Sequence, residues 1–133
     1  GTTVGTNMAN VCSVLMSQTE AITQAATTST TSIIIPANSQ LVSADLYVSV
    51  IWSGSAATAG LGYVGDATAF TAAAAFTGGV LGIIKITAGA NKARVDAWAD
   101  VGSTDRRLLL TYPNLGAGEG WITVTYIQNV DVG

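Results

Sequence analysis

The stretch Leu41-Val42-Ser43-Ala44-Asp45-Leu46-Tyr47-Val48-Ser49-Val50-Ile51-Trp52 decides the fold. Val42, Ala44, Leu46, Val48, Val50 and Trp52 fall on one face, with Ser43, Asp45, Tyr47 and Ser49 among those on the other. Successive side chains of a strand point to opposite faces, so a period of two over this length predicts a half-buried strand; a helix would mix the two sets. The same logic returns near the end of the chain, where Ile122, Val124 and Tyr126 alternate with Thr123 and Thr125. Between them, 80–87 and 108–112 are rich in strand-forming residues. Upstream, Ile33-Ile34-Ile35 is a short β-branched run closed by the turn chemistry of Pro36-Ala37-Asn38-Ser39.

A second alternation occupies 92–101. Lys92, Arg94, Asp96, Trp98 and Asp100 share one strand face, and Ala93, Val95, Ala97, Ala99 and Val101 the other. The alanines leave a helix open, but strict alternation favours a strand with a charged face. The Ala-rich segment 70–76 is the best candidate for one or two helical turns. Glycines at 60, 62, 65, 78, 79, 116, 118 and 120 punctuate the runs. Short strands at turn-punctuated spacing, about eight or nine of them, predict an all-β chain: an antiparallel, jelly-roll-like β-sandwich. The Thr-, Ser- and Ala-rich residues 1–30 carry Glu20 as their only charge and show no core-forming pattern, so they read as an extended N-terminal arm on a single domain spanning 31–133.

Composition narrows the function. With 133 residues the chain fits one domain able to hold its own core. Charged residues are 10% of it, against about 25% in a typical soluble domain. Five Lys and Arg and a net charge of −3 argue against a nucleic-acid partner. The absence of histidine removes Ser-His-Asp and Cys-His triads, histidine metal sites and imidazole switches together. Cys12, the single cysteine, admits no intrachain disulfide and reads as a buried thiol, because no basic neighbour lowers its pKa. No apolar run is long enough to span a membrane, and neither a signal peptide nor a myristoylation motif is expected at the N-terminus.

The chemical motifs lead to bland readings. Gly60-Leu61-Gly62-Tyr63-Val64-Gly65 spells a dinucleotide-binding turn, but Ser53 to Ala59 separates it from the preceding strand. The ribose-binding acid needed about twenty residues on is replaced by Lys85. On a strand, Asp96 and Asp100 would stand about 13 Å apart, too far for a glycosidase pair. Asp66 and Asp100 lack calcium-loop spacing. No catalytic, cofactor or metal residue is therefore assigned. The mixed charges of Lys92, Arg94, Asp96, Asp100, Arg106 and Arg107 suit a face that sets register against a neighbouring subunit or shell, with Trp98 as its hot spot. Trp52 and Trp121, at the ends of alternating runs, read as core plugs.

Long uncharged stretches with almost no edge-guarding lysines imply a surface covered by copies of the chain or by a larger assembly. Three segments carry a family likeness: Ser32-Ile33-Ile34-Ile35-Pro36-Ala37-Asn38-Ser39; Gly62-Tyr63-Val64-Gly65-Asp66 ahead of a loop; and Ala117-Gly118-Glu119-Gly120-Trp121-Ile122-Thr123-Val124-Thr125-Tyr126-Ile127. In order and spacing over about residues 30–128, the chain resembles the small β-sandwich virion proteins of tailed bacteriophages, of the capsid decoration or cement kind. The resemblance implies a non-enzymatic protein without cofactor, forming a homotrimer or other oligomer on the capsid exterior. Its partners would be the major capsid protein, with the 1–30 arm as a natural anchor, and copies of itself. The alternative is a receptor- or carbohydrate-binding module of a phage tail or fibre.

Overall fold

The computed structural model describes residues 14–53 and 57–128. In chain order the elements are β1 (Val14–Thr23), β2 (Thr28–Ile35), β3 (Gln40–Val50), β4 (Thr58–Tyr63), β5 (Phe76–Thr77), β6 (Gly82–Ile86), α1 (Lys92–Ala99), β7 (Arg106–Thr111) and β8 (Glu119–Gln128). Two four-stranded antiparallel sheets, ordered β1-β8-β3-β6 and β2-β7-β4-β5, face each other. First pairs with last, second with seventh, third with sixth and fourth with fifth, as when one long antiparallel ribbon rolls up; this is the jelly-roll form of the β-sandwich. The inner faces meet in one core containing Ile33, Ile35, Leu46, Val48, Leu61, Phe70, Leu108, Leu110, Ile122 and Val124.

The two deciding alternations behave differently. In β8 the reading holds at every step: Ile122, Val124 and Tyr126 are buried and Thr123 and Thr125 are half-buried on the outer face. In β3, Ala44, Leu46 and Val48 face the core, but the ends are out of phase. The register against β8 slips between Leu41 and Ser43 and again between Val48 and Val50. Each irregularity re-aims the chain by one residue, so Leu41 enters the core while Val42 and Val50 stay outside. Trp52 follows the strand as a true core plug, edge-on to Tyr112 at 5.2 Å.

Two expected elements change type. Residues 92–101 are not a charged strand: Lys92–Ala99 is the helix α1. Asn91 caps it, its side chain accepting from Arg94 N at 3.2 Å; Lys92 and Asp96 pair at 2.7 Å one turn apart; the alanines do the rest. Conversely, 70–76 forms no helix: 70–75 runs as turns and bends along β4, and Phe76 opens β5. That passage explains the Gly60 and Gly62 spelling. A Cβ on Gly60 would stand 2.6 Å from Ala72 O, and one on Gly62 would collide with the backbone of Asp66 and Ala67. The glycines let one backbone lie on another, with β4 ending in the tight Tyr63–Asp66 turn.

The structure also puts part of the expected arm into the sandwich. Residues 14–23 are β1, paired along their length with β8, and 28–30 begin β2. Residues 1–13, Cys12 among them, lie outside the described residues.

Candidate functional site

The charged residues singled out from sequence gather at one end of the sandwich, around α1 and the start of β7, but not as one face. Helical geometry splits them. Arg94, Ala97 and Trp98 form the half-buried stripe that meets the 63–70 turn. Arg94 Nε donates to Thr68 O at 3.0 Å, and Trp98 Nε1 donates to Phe70 O at 2.9 Å. Trp98 is thus a fastener of α1 to the core. Lys92 and Asp96 point outward as a solvated ion pair. Asp100 turns back to accept from Gly102 N at 2.9 Å, ending the helix.

The two arginines of β7 diverge, as strand neighbours must. Arg106 donates from Nε to Val101 O at 3.0 Å and lays its guanidinium over the Tyr63 ring, 4.2 Å from the centroid. Arg107 is exposed on the other side, donating to Thr31 O at 3.1 Å. Between α1 and the 63–69 turn lies an open cleft of about 370 Å³, lined by Tyr63, Asp66, Thr68, Ala69, Asn91, Ala93, Arg94 and Ala97. Its carboxylate, Asp66, is occupied locally, accepting from Thr68 N at 3.2 Å. Among the described residues, no three Asp, Glu, His or Cys side chains gather as a metal site. Burial raises the pKa of Tyr112, its hydrogen bond to Ser29 offsetting part of the rise. These contacts give the end of the sandwich a defined shape and mixed charge.

A second surface was not legible in the sequence. Trp121, expected in the core, stands on the outer face of β8, 42% exposed, stacked on Tyr47 with ring centroids 4.3 Å apart. Ile83, opposite Tyr47 in β6, is 73% exposed. Asp45, Tyr47, Ile83, Trp121 and Thr123 enclose a shallow cavity of about 290 Å³. Val50, Ile51, Val80 and Leu81 are exposed just beyond. The signal was present but silent. The run Val80-Leu81-Gly82-Ile83-Ile84-Lys85-Ile86 reads as a strand without saying which residues face the core, and only Ile84 and Ile86 turn inward.

No family model matches this sequence, and no curated protein matches it. A solved structure does: a chain of the cyanophage Pam1 capsid asymmetric unit, 16% identical. The superposition covers 88% of this chain and 85% of that one, with a TM-score of 0.53. What the two chains share is the fold, a jelly-roll sandwich of the same size.

Proposed function

We propose that this chain is a structural, non-enzymatic virion protein, a decoration or cement protein that joins the outside of a capsid shell as an oligomer, three copies being the number the family resemblance implies. The observation that carries the reading is the jelly-roll order of the two sheets, shared over most of the chain with a protein of a phage capsid asymmetric unit. The low charge points the same way, since a surface made largely of Thr, Ser, Ala and Gly suits burial in an assembly. The α1 end, with Lys92, Arg94, Asp96, Trp98, Asp100, Arg106 and Arg107, is the proposed contact with shell or neighbour. Its outward groups are Lys92, Asp96, Asp100 and Arg107; Arg94, Trp98 and Arg106 hold the shape beneath them.

A glycan-binding module would use exposed aromatic rings, and Tyr47 with Trp121 is such a pair. Their near-parallel stack spends one face of each ring on the other, and Ile83 borders what remains, an arrangement better matched to protein side chains than to sugar rings.

Co-sedimentation with capsid shells of the virus that encodes the chain tests the proposal. Saturable binding at a fixed ratio to the major capsid protein, weakened by the double substitution Lys92→Glu and Arg107→Glu, is expected. Failure to sediment with shells would sink the decoration role. Truncation to probe an N-terminal anchor belongs at residue 13; removing 1–30 would take away β1 and with it the sheet edge.

A further inference from the structure

We infer that the outer corner of β3 and β6 is the face through which copies of this chain join, with β6 as the open edge of the interface. The inference rests on the oligomeric part of the reading above and names the surface it uses. Cross-strand pairing makes the patch continuous. Tyr47 stands opposite both Trp121 and Ile83, and Trp52 N donates to Gly78 O at 3.0 Å. That bond carries the β3–β6 register past the strand ends and sets Val50 opposite Val80.

Three observations select a second copy as the occupant. The first is area. Val50, Ile51, Val80, Leu81, Ile83 and Trp121 together expose on the order of 600 Å², most of the ~800 Å² that each partner contributes to a standard stable interface. The second is the edge. Among the described residues the backbone of β6 pairs with β3 alone, and Lys85 is its only charged residue. An open strand edge is a template for another strand, and beside its one lysine this edge presents the exposed Val80, Leu81 and Ile83. The third is charge. The row beside the patch holds both signs, Asp45 and Lys85, at a loose 3.6 Å. A partner of one sign would strand one of them, whereas a second copy presents both and can satisfy both.

Native mass spectrometry and sedimentation of the purified chain test the inference, with the variants Ile83→Glu and Trp121→Ala. Val64→Glu is the control, a comparably exposed apolar residue in the Tyr63–Asp66 turn. Circular dichroism and melting of each variant confirm the fold. The parent and Val64→Glu are expected to be oligomers, and Ile83→Glu and Trp121→Ala to dissociate, with the self-association constant weakened on the order of 100-fold by Ile83→Glu. A parent that is monomeric up to its solubility limit overturns the inference. So do patch variants that keep the parent's mass, and so does a control that dissociates equally. Shell binding is scored separately: a folded monomeric Ile83→Glu that still sediments with shells leaves the copy interface standing, and loss of shell binding by an oligomeric chain bears only on the decoration role.

Discussion

Strands β1 and β6 border the same sheet, yet only β1 is fastened to the sheet it faces. The inward positions of β1, opposite Tyr126, Val124 and Ile122 of β8, are Met16, Gln18 and Glu20. Gln18 Nε2 donates to Ile34 O at 2.9 Å and to Tyr126 Oη at 2.7 Å. Glu20 Oε1 accepts from both the backbone N and the hydroxyl of Ser32. At the end of the strand, Gln24 is fully buried. Its amide donates to Ser53 O and Asn114 O, and its oxygen accepts from Ser53 N and Gly118 N. The β6 border has no such side-chain links to the facing sheet among the described residues; it offers Val80, Leu81 and Ile83 to solvent. One border is closed internally with polar groups, and the other is left apolar for something outside. The difference separates residues that hold the two sheets together from those that form the copy interface inferred above.

The sharpest way to break this contrast is to cut the closed border at Gln24. Gln24→Ala takes from a fully buried position the amide that Ser53 and Gly118 backbone groups bond to, and should cost about 3 kcal/mol. Urea unfolding is the readout. A loss under about 1 kcal/mol would mean that the network is incidental, since an ordinary surface change costs about that or less. Next in size is a matched pair. Ile22→Ala on β1 empties core volume and should cost about 2–3 kcal/mol, whereas Ile83→Ala on β6 should stay within about 0.5 kcal/mol in a monomeric background. Equal costs would erase the distinction between the two borders. Glu20→Ala comes third at about 1 kcal/mol, because its acceptor sits at a partly exposed edge; amide exchange at Ser32 should accelerate in that variant, and unchanged exchange would show that Glu20 does not close the border.

The contrast also explains what the sequence showed and what it hid. A hydrophobic period reports a strand only where the inward face is apolar. That holds for β8 and for Ala44 to Val48, and both were legible. β1 pairs with β8 along ten residues, yet Gln18 and Glu20 stand between Met16 and Ile22 on its inward face, satisfied by hydrogen bonds to β2, so no apolar period showed and it read as an arm. The opposite error fell on Trp121. It was read as a core plug because a sequence shows that a residue is greasy, not which side of the sheet it faces. The helix α1 was misread for a third reason: none of its residues is fully buried, so it carries little amphipathic signal, and local effects at Asn91 and Lys92–Asp96 decide it. The charged residues were picked out by type, and their expected geometry does not hold: a strand would have kept Lys92, Arg94, Asp96 and Trp98 on one face, and the helix divides them.

The smallest effect sharpens the closed border through pH. Tyr112 Oη donates to Ser29 Oγ at 2.8 Å, and Ser29 Oγ donates onward to Thr23 O at 3.3 Å, linking β2 and the end of β7 to the end of β1. Burial raises the Tyr112 pKa above the ordinary 10.0, the hydrogen bond with Ser29 offsetting part of the rise. The sign follows from linkage. The unfolded chain ionises this tyrosine first, so the folded state's advantage is intact below pH 10 and is lost as pH climbs through the raised value. Tyr112→Phe gives up the hydrogen bond, about 1 kcal/mol at neutral pH, and removes this titration. The gap in melting temperature between parent and variant should therefore narrow as pH rises above 10, the parent losing stability that the variant does not have to lose. A gap that stays constant through that range would show that the Tyr112 hydroxyl is solvated in the folded protein, and that the link from Tyr112 through Ser29 to Thr23 plays no part in closing the border.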